Sequence, residues 1–269
     1  MSSGKANRRK RTTPAPPPVR SKGSPRKRQA SPRVLIAAGA VVLAVAVAVI
    51  VAVVASGGSS NSLADVPAVG SLKNALTGAA TVNTLFKGIP QSNTTLGKPT
   101  APVTMTEFVD PQCPYCQEFE TQVFPGLVKD YVRTGKLRIQ IEPWAFIGPD
   151  SVRGQAAELA AGQQNKLFDY AELLYDNQAE ENTGWLNDDM VTAVARSIPG
   201  LRVHTLLDAR SSGPVKAAQK QVDDLATTDK ISGTPTLFVG KTGTRGSEVD
   251  LSSPTDRQAV VTAIANATQ

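Results

Sequence analysis

The two cysteines of this 269-residue chain are separated by two residues, in the stretch DPQCPYCQEF at residues 110–119. A disulfide between Cys113 and Cys116 would close a four-residue loop and stabilise the fold by only about 2 kcal/mol. A structural zinc site needs about four Cys or His ligands, and the chain adds only one histidine, His204. We therefore predict no metal site, and a redox couple is the chemistry that best fits the spacing.

The residue after the first cysteine supports this interpretation. Pro114 suits the first turn of a helix, where its missing N–H group costs nothing. Cys113 would then be the N-cap residue, with its sulfur facing unpaired backbone N–H groups and the positive end of the helix dipole, which favour a thiolate. Cys116 would lie one turn into the helix, more buried, and placed to attack a mixed disulfide formed at Cys113.

Apolar patterns on both sides of the pair predict a βαβ unit. Residues 101–109 and 136–146 are two short strands by their β-branched and alternating apolar residues. Between them, a helical stripe extends from Cys113 to about residue 134 and is expected to bend at Pro125. Two strands joined by a helix of this length are expected to be parallel.

The rest of the C-terminal part is predicted to be helical first and then extended. Helices are expected over about residues 150–230, with a break near Gly162. A strand follows at residues 234–240, then a turn that enters a further strand. The last helix is expected to start near Ser253, which is followed by Pro254 and has Asp256 three residues on.

The N-terminal part has the composition of a membrane anchor. Residues 1–33 contain eleven Lys or Arg and no acidic residue, which predicts a disordered basic tail. Residues 34–55 carry no charge and would form a helix of about 33 Å, enough to span a bilayer. The basic flank predicts a cytoplasmic tail and an extracytoplasmic remainder. A cleaved secretory signal is the alternative, and it would also export the remainder.

The net charge of +6 is concentrated in that tail, because the remaining 18 basic residues are outnumbered by 23 acidic ones. Binding of nucleic acid is therefore not predicted. Residues 56–80 are rich in Gly, Ser, Ala and Asn and are predicted to be a linker. Residues 81–269 are long enough for one domain, and they have no phosphate-binding glycine loop, so no cofactor is predicted.

Residues 81–269 resemble the DsbA-like branch of the thioredoxin superfamily, in the form of membrane-anchored bacterial thiol-disulfide oxidoreductases. Three segments carry the resemblance: GIPQSNTTLGKPTAPVTMTEFVDPQCPYC, AAELAAGQQNKLFDYAELLY and GTPTLFVG. In that family a helical insertion separates the active-site helix from a loop that bears a cis-proline. The implied fold class is therefore α/β, a thioredoxin-like fold with an inserted helical domain, preceded here by one transmembrane helix.

The resemblance also implies roles for single residues. Cys113 would be the nucleophilic cysteine and Cys116 the resolving one. Glu107 occupies the place of the family's buried acid, which relays protons to and from the resolving cysteine. Its neighbours of equal parity on the strand are apolar, which makes burial and a raised pKa plausible.

Other residues would contact the substrate. Pro235 would be the cis-proline, although an X–Pro bond is cis in only about 5–6% of cases when sequence is the sole guide. Thr234 would pair its backbone with a bound substrate strand, next to Pro114 and Tyr115. Strongly oxidising DsbA enzymes resemble C-P-H-C, and Tyr115 replaces that histidine, so a less extreme oxidant is expected.

The function implied is a dithiol oxidase that forms disulfides in exported, cysteine-containing proteins through Cys113 and Cys116. A membrane reoxidase that passes electrons to quinone would be its partner, and residues 34–55 would hold it in the membrane. Two alternatives stay open. One is an extracytoplasmic reductase or isomerase, and the other is a binding or chaperone module of the same fold in which the cysteines are incidental.

Overall fold

The computed structural model describes residues 66–269. The predicted basic tail at residues 1–33 and the predicted transmembrane helix at residues 34–55 lie outside the described residues. Within residues 66–269, none of the helices combines the length and the apolar character that crossing a membrane requires.

A six-stranded sheet of order β1-β2-β4-β3-β5-β6 forms the centre of the described domain. Its strands are β1 (Gln91–Ser92), β2 (Thr95–Leu96), β3 (Val103–Val109), β4 (Leu137–Pro143), β5 (Thr236–Lys241) and β6 (Ser247–Glu248). Strand β3 pairs in parallel with β4 and antiparallel with β5. The predicted parallel βαβ unit is therefore confirmed. Its first strand, β3, lies between β4 and β5, and its residues on both faces of the sheet are almost all buried.

The connection from β3 to β4 is a broken helix. It consists of α2 (Pro114–Gln122), α3 (Phe124–Leu127) and a π-helical turn at Val128–Val132. The break falls next to Pro125, which lacks an N–H group and whose ring crowds the preceding turn. The predicted bend is thus confirmed, and α2 is left as a short helix whose N-terminus carries both cysteines.

Five helices form the insertion between β4 and β5, over the range where the sequence predicts it. They are α4 (Pro149–Gly162), α5 (Leu167–Asp176), α6 (Asp188–Arg196), α7 (Val203–Ala209) and α8 (Gly213–Thr228). Helix α5 packs against both α4 and α2. The insertion therefore covers the helix that carries the cysteines and brings its own side chains to that helix.

The packed domain begins before residue 81, within the segment predicted to be a linker. The N–H of Gly70 donates to the carbonyl of Leu201 at 2.8 Å, and the N–H of Val203 donates to the carbonyl of Ala68 at 2.9 Å. Helix α1 then spans Ala79–Phe86. The Gly- and Ser-rich composition concealed this packing, because backbone groups can pair whatever side chains they carry.

The C-terminal helix starts later than predicted. Helix α9 spans Arg257–Ala267, and its N-cap is Asp256, whose side chain accepts a hydrogen bond from the N–H of Ala259. The predicted start at Ser253 is part of the preceding turn, in which the Ser253 carbonyl accepts from the N–H of Asp256. Helix α9 packs against β5, the strand that follows the Thr234–Pro235 loop.

Candidate active site

Cys113 is the N-cap residue of α2, as the sequence predicts. Its backbone is extended, with φ −68° and ψ 121°, and Pro114 follows as the first helical residue. The Sγ of Cys113 accepts a hydrogen bond from the backbone N–H of Cys116 at 3.4 Å. The sulfur thus replaces one of the partners that the first turn of a helix lacks.

This position lowers the pKa of Cys113 from 9.0 to about 6. The largest cause is a hydrogen bond from the Cys116 side chain, and burial acts against it. Thr234 and the backbone N–H groups of Tyr115 and Cys116 contribute further lowering. At neutral pH the reduced Cys113 is therefore mainly a thiolate, which is the reactive form of cysteine.

Cys116 behaves in the opposite way. Its side chain is fully buried, and burial raises its pKa well above 9.0, with its hydrogen bond to Cys113 and the charge of Cys113 adding to the effect. The pair thus holds one thiolate and one thiol in direct contact. Two groups whose pKa values are forced apart in this way are suited to separate roles in one reaction.

The loop before β5 brings two of the predicted site residues to the cysteines. The Thr234–Pro235 peptide bond is cis, as the resemblance implies. In its thiol form, the Sγ of Cys113 donates to the backbone carbonyl of Thr234 at 3.3 Å. The Thr234 hydroxyl is buried with no protein partner at ordinary hydrogen-bond geometry, yet it lies near enough to both sulfurs to lower the pKa of each.

A shallow cavity of about 210 Å³ opens beside these residues. Tyr115, Thr234 and Pro235 line it, and the side chain of Tyr115 is 59% exposed. Pro114 is exposed on the same turn. The remaining residues that line the cavity are Leu251, Ser253 and Pro254. The sequence did not predict that these three residues belong to the site. The structure thus groups the predicted substrate-contacting residues at one surface, and their roles stay predictions.

Glu107 lies on β3, on the side of the sheet that shares its apolar core with Cys116. It is opposite Ile141 and Leu237 in the strand register, and both belong to that core. The side chain is fully buried, and neither carboxylate oxygen has a hydrogen-bond donor. Burial raises the pKa of Glu107 well above 4.5, and the charge of Glu120 raises it further. Its predicted role as a proton carrier is compatible with this setting and stays a prediction.

Asp110 is a site residue that the sequence did not single out. It is fully buried. Its Oδ1 accepts from the N–H of Gln112 at 2.8 Å and from the hydroxyl of Ser151 at 2.6 Å. Its Oδ2 accepts from the N–H groups of Phe146 and Ile147 at 2.9 and 3.0 Å. One carboxylate therefore ties the loop before the cysteines to the loop after β4 and to the first turn of α4.

The backbone of Asp110 has a second function in the same loop. Its carbonyl accepts from the N–H of Cys113 at 2.9 Å and from the hydroxyl of Tyr175 at 3.1 Å. An acidic residue that directly follows a buried strand, three residues before a candidate nucleophile, is the signal that could have identified it. Asp110 positions the N-cap cysteine.

A family model described as "Thioredoxin" matches residues 91–253. The chain belongs to the thioredoxin family. A probable disulfide bond formation protein D from Bacillus cereus is 30% identical over 147 residues, which are 54% of this chain and 68% of that protein. The disulfide bond formation protein D of Bacillus subtilis is 27% identical over 146 residues, which are 54% of this chain and 66% of that protein.

A solved structure shares the thioredoxin fold with its helical insertion. BdbD from Bacillus subtilis, in its oxidised form, superposes with a TM-score of 0.58 at 23% identity, over 66% of this chain and 95% of that chain. Family membership and the paired cysteines identify the chain as a DsbA-like protein-disulfide oxidoreductase. The thioredoxin-family site therefore acts by thiol–disulfide exchange.

Proposed function

We propose that this oxidoreductase introduces disulfides into exported proteins through a Cys113–Cys116 redox couple. The observation that carries the proposal is the Sγ of Cys113 at the N-terminus of α2, where it accepts from the N–H of Cys116 at 3.4 Å. This position accompanies a pKa lowered to about 6. A couple whose reduced form is stabilised as a thiolate gives up its disulfide readily and is therefore oxidising. The names of the Bacillus relatives, which refer to disulfide bond formation, support the same direction of electron flow.

The first step is attack by a substrate thiolate on the Sγ of Cys113 in the oxidised protein. The Cys113–Cys116 bond breaks, a bond forms between the substrate and Cys113, and Cys116 receives the electron pair. Because burial raises the pKa of Cys116, this sulfur takes up a proton as it leaves. Glu107, whose pKa burial raises well above 4.5, is the proposed source of that proton.

The second step is attack by another substrate thiolate on the substrate sulfur of the mixed disulfide. The substrate disulfide forms, and Cys113 leaves as a thiolate. A thiol of lower pKa is a better leaving group. Two electrons pass from the substrate dithiol to the protein, and both substrate protons go to solvent. Cys116 keeps the proton from Glu107, and Glu107 regains one, so each turnover releases one proton net.

Substrate binding is proposed at the cavity beside the cysteines. The Thr234 backbone would pair with an extended substrate segment, and Tyr115 and Pro235 would contact its side chains. Pro114 lies on the same exposed turn. A shallow and mostly open surface suits unfolded chains of many sequences, because backbone pairing does not depend on side-chain identity.

Two further parts of the proposal concern the cellular setting. Residues 34–55 would anchor the protein in the membrane, with residues 1–33 in the cytoplasm and the catalytic domain outside. Each turnover leaves the protein as a dithiol, so an oxidant must regenerate it. A membrane reoxidase linked to quinone would accept these electrons.

The test uses the full-length protein in detergent and a reduced peptide with two cysteines. The oxidised protein should convert one equivalent of peptide to its disulfide. The variant C113S should convert none. C116S lacks the resolving thiol, and when it is given the peptide in its disulfide form, its Cys113 should attack that bond and accumulate a mixed disulfide. A protein whose effect on a substrate persists in the double variant C113S/C116S would be a binding module instead.

The reduction potential, measured by equilibration with glutathione buffers, separates the directions of electron flow. A value of about −180 to −120 mV supports a dithiol oxidase. A value near about −270 mV would make the protein a reductase. A pair that resists reduction below roughly −300 mV would be a structural disulfide.

A further inference from the structure

Three buried carboxyl groups, from β3, α2 and α5, lie near the helix that carries the two cysteines. Glu107 on β3 is 0% exposed, Glu120 on α2 is 2% exposed and Glu172 on α5 is 4% exposed. One oxygen of Glu120, one of Glu172 and both of Glu107 are buried without a hydrogen-bond donor. Charged carboxylates are rarely buried unless they are paired.

Within residues 66–269, these carboxyl groups have no basic partner. Among the ion pairs of residues 66–269, none includes Glu107, Glu120 or Glu172. Burying these three acids therefore lowers the stability of the fold, because no ion pair offsets the loss of hydration. Apolar residues of similar size would avoid that cost. Buried acids with raised pKa values and no ion pair are typical of a functional site and not of a structural ion-pair network.

The members of the cluster follow one another in space. Glu120 lies four residues after Cys116 on the buried face of α2, so the two side chains are neighbours on adjacent turns. Glu172 faces Glu120 from α5, which packs against α2, and the two carboxyl groups are close enough that each changes the pKa of the other. Glu107 is close enough to Glu120 for the charge of Glu120 to raise its pKa.

The last member of the series is at the surface. Asp176 lies four residues after Glu172 on α5, next to it on the helix, and its side chain is exposed. The Asp176 carboxylate lies against Gly78, where any Cβ would collide with it. Gly78 is the N-cap of α1 with a φ of 89°, and its lack of a side chain leaves room for the carboxylate there.

We propose that Glu120, Glu172 and Asp176 form a path that conducts protons between solvent and the buried pair of Glu107 and Cys116. This inference rests on the proposed function and adds the route by which its proton is supplied. When Cys116 leaves as a thiolate, Glu107 gives it a proton. Glu107 then regains a proton from Glu120, Glu120 from Glu172, Glu172 from Asp176, and Asp176 from water.

The pKa values of the buried members support this use. Burial raises the pKa of Glu120 and Glu172 well above 4.5. Glu172 raises the pKa of Glu120 further, whereas the interaction with Glu120 acts against the rise at Glu172. Other titratable groups that face Glu120 are Glu158 from α4 and Tyr175 from α5, and Asp110 in turn faces these two groups. None of these groups is basic, so none of them stabilises a charged carboxylate at Glu120.

The experiment measures how fast the oxidised full-length protein oxidises the two-cysteine peptide, by stopped flow from pH 5 to 9 in H₂O and D₂O. We expect E120Q and E172Q to slow the reaction roughly tenfold, with the loss growing as pH rises and with a larger solvent isotope effect. In an E107Q background, the same two changes should add little, because they supply the residue that is missing.

E142Q is the matched control. Glu142 is also a buried acid whose burial raises its pKa, but it interacts with Gln140, Arg245 and Asp229, outside the path. It should keep the wild-type rate and isotope effect. The surface variant D176N removes the solvent end without a buried change, and it should slow the reaction by a smaller factor than E172Q.

The outcomes separate the path from the function. Wild-type pH profiles and isotope effects in E120Q, E172Q and D176N, with the wild-type protein active, would overturn the path alone. Equal losses in the wild-type and E107Q backgrounds would also overturn it, because they would indicate a structural effect. A wild-type protein that oxidises no peptide would overturn the proposed function itself.

Discussion

The backbone N–H of Cys116 points at the Sγ of Cys113 across 3.4 Å, so the helix that Cys113 caps also donates to its sulfur. The Cys116 side chain donates to the same sulfur and is the largest cause of its lowered pKa. One cysteine therefore sets the ionisation of the other. This relation makes the pair asymmetric before any substrate arrives.

The asymmetry predicts different effects of two substitutions at position 116. In C116A the side-chain donor is lost, and the pKa of Cys113 should rise from about 6 towards 9.0. In C116S a hydroxyl donor replaces the thiol, and the pKa should stay nearer to 6. The thiolate absorbance at 240 nm, followed against pH, measures both values. Equal values in C116A and C116S would show that the side chain at 116 does not stabilise the thiolate.

Replacement of Tyr115 should change the reduction potential. Tyr115 is exposed and its backbone N–H already faces the sulfur. In Y115H an imidazolium would add a positive charge there, stabilise the thiolate and make the potential less negative by about 10–30 mV. The effect should be larger at pH 6 than at pH 8, because the imidazole loses its charge over that range. Glutathione equilibration measures it.

The control for that prediction is Y115F. It removes a hydroxyl and adds no charge, so its potential should stay within about 10 mV of the wild-type value. A shift in Y115F as large as that in Y115H would mean that the ring, and not the charge, controls the couple.

Asp110 should contribute to stability through its four hydrogen bonds. In D110N one accepting oxygen becomes an NH₂ group that faces donors, so we expect a loss of about 2–3 kcal/mol in the free energy of unfolding. Urea unfolding at pH 7 measures the loss. The same exchange at Asp130, whose ion pair with Arg257 is half exposed, should cost less than about 1 kcal/mol. Similar losses at both positions would contradict the role of Asp110 as the anchor of the loop.

Glu158 predicts a pH-dependent gain in stability. It is fully buried, neither oxygen has a donor, and burial raises its pKa well above 4.5, with the charge of Asp110 adding to the effect. A carboxyl group whose pKa is raised on folding is protonated in both states below its unfolded-state pKa. As pH rises from the unfolded-state pKa to the folded-state pKa, the free energy of unfolding decreases. E158Q should therefore raise Tm by about 2–4 °C at pH 8 and leave it unchanged at pH 4.

Calorimetric scans of E158Q and of E180Q at both pH values test this expectation. Glu180 is exposed, so its exchange should change Tm at neither pH. A gain in E158Q of the same size at pH 4 and pH 8 would show that packing, and not ionisation, is responsible.

The parts of the fold that follow local patterns could be predicted from the sequence. Strand β3, the broken helix after it and strand β5 each depend on the spacing of apolar residues and on a proline. The N-cap position of Cys113 follows from Pro114 alone. The cis bond at Pro235 depends on resemblance, because the local sequence favours the trans form.

The buried acids could not be predicted in the same way. Glu120, Glu158 and Glu172 look like residues of solvated helix faces, and only the packing of α5 against α2 and α4 shows that these faces are covered. Asp110 depends on donors from Ser151 and from the loop after β4, which lie 36 or more residues further along the chain. Contacts of this range leave no periodicity in the sequence.

The site is assembled from two segments of the domain that the ribosome synthesises at different times. Cys113 and its acceptor Thr234 are 121 residues apart, so at about 5–20 residues per second the ribosome delivers Cys113 roughly 6–24 s before Thr234. Until β5 joins the sheet, the nascent chain carries both cysteines without the loop that faces them. The site is therefore completed only when β5 pairs with β3, and a chain cut short before β5 keeps both cysteines and lacks that loop.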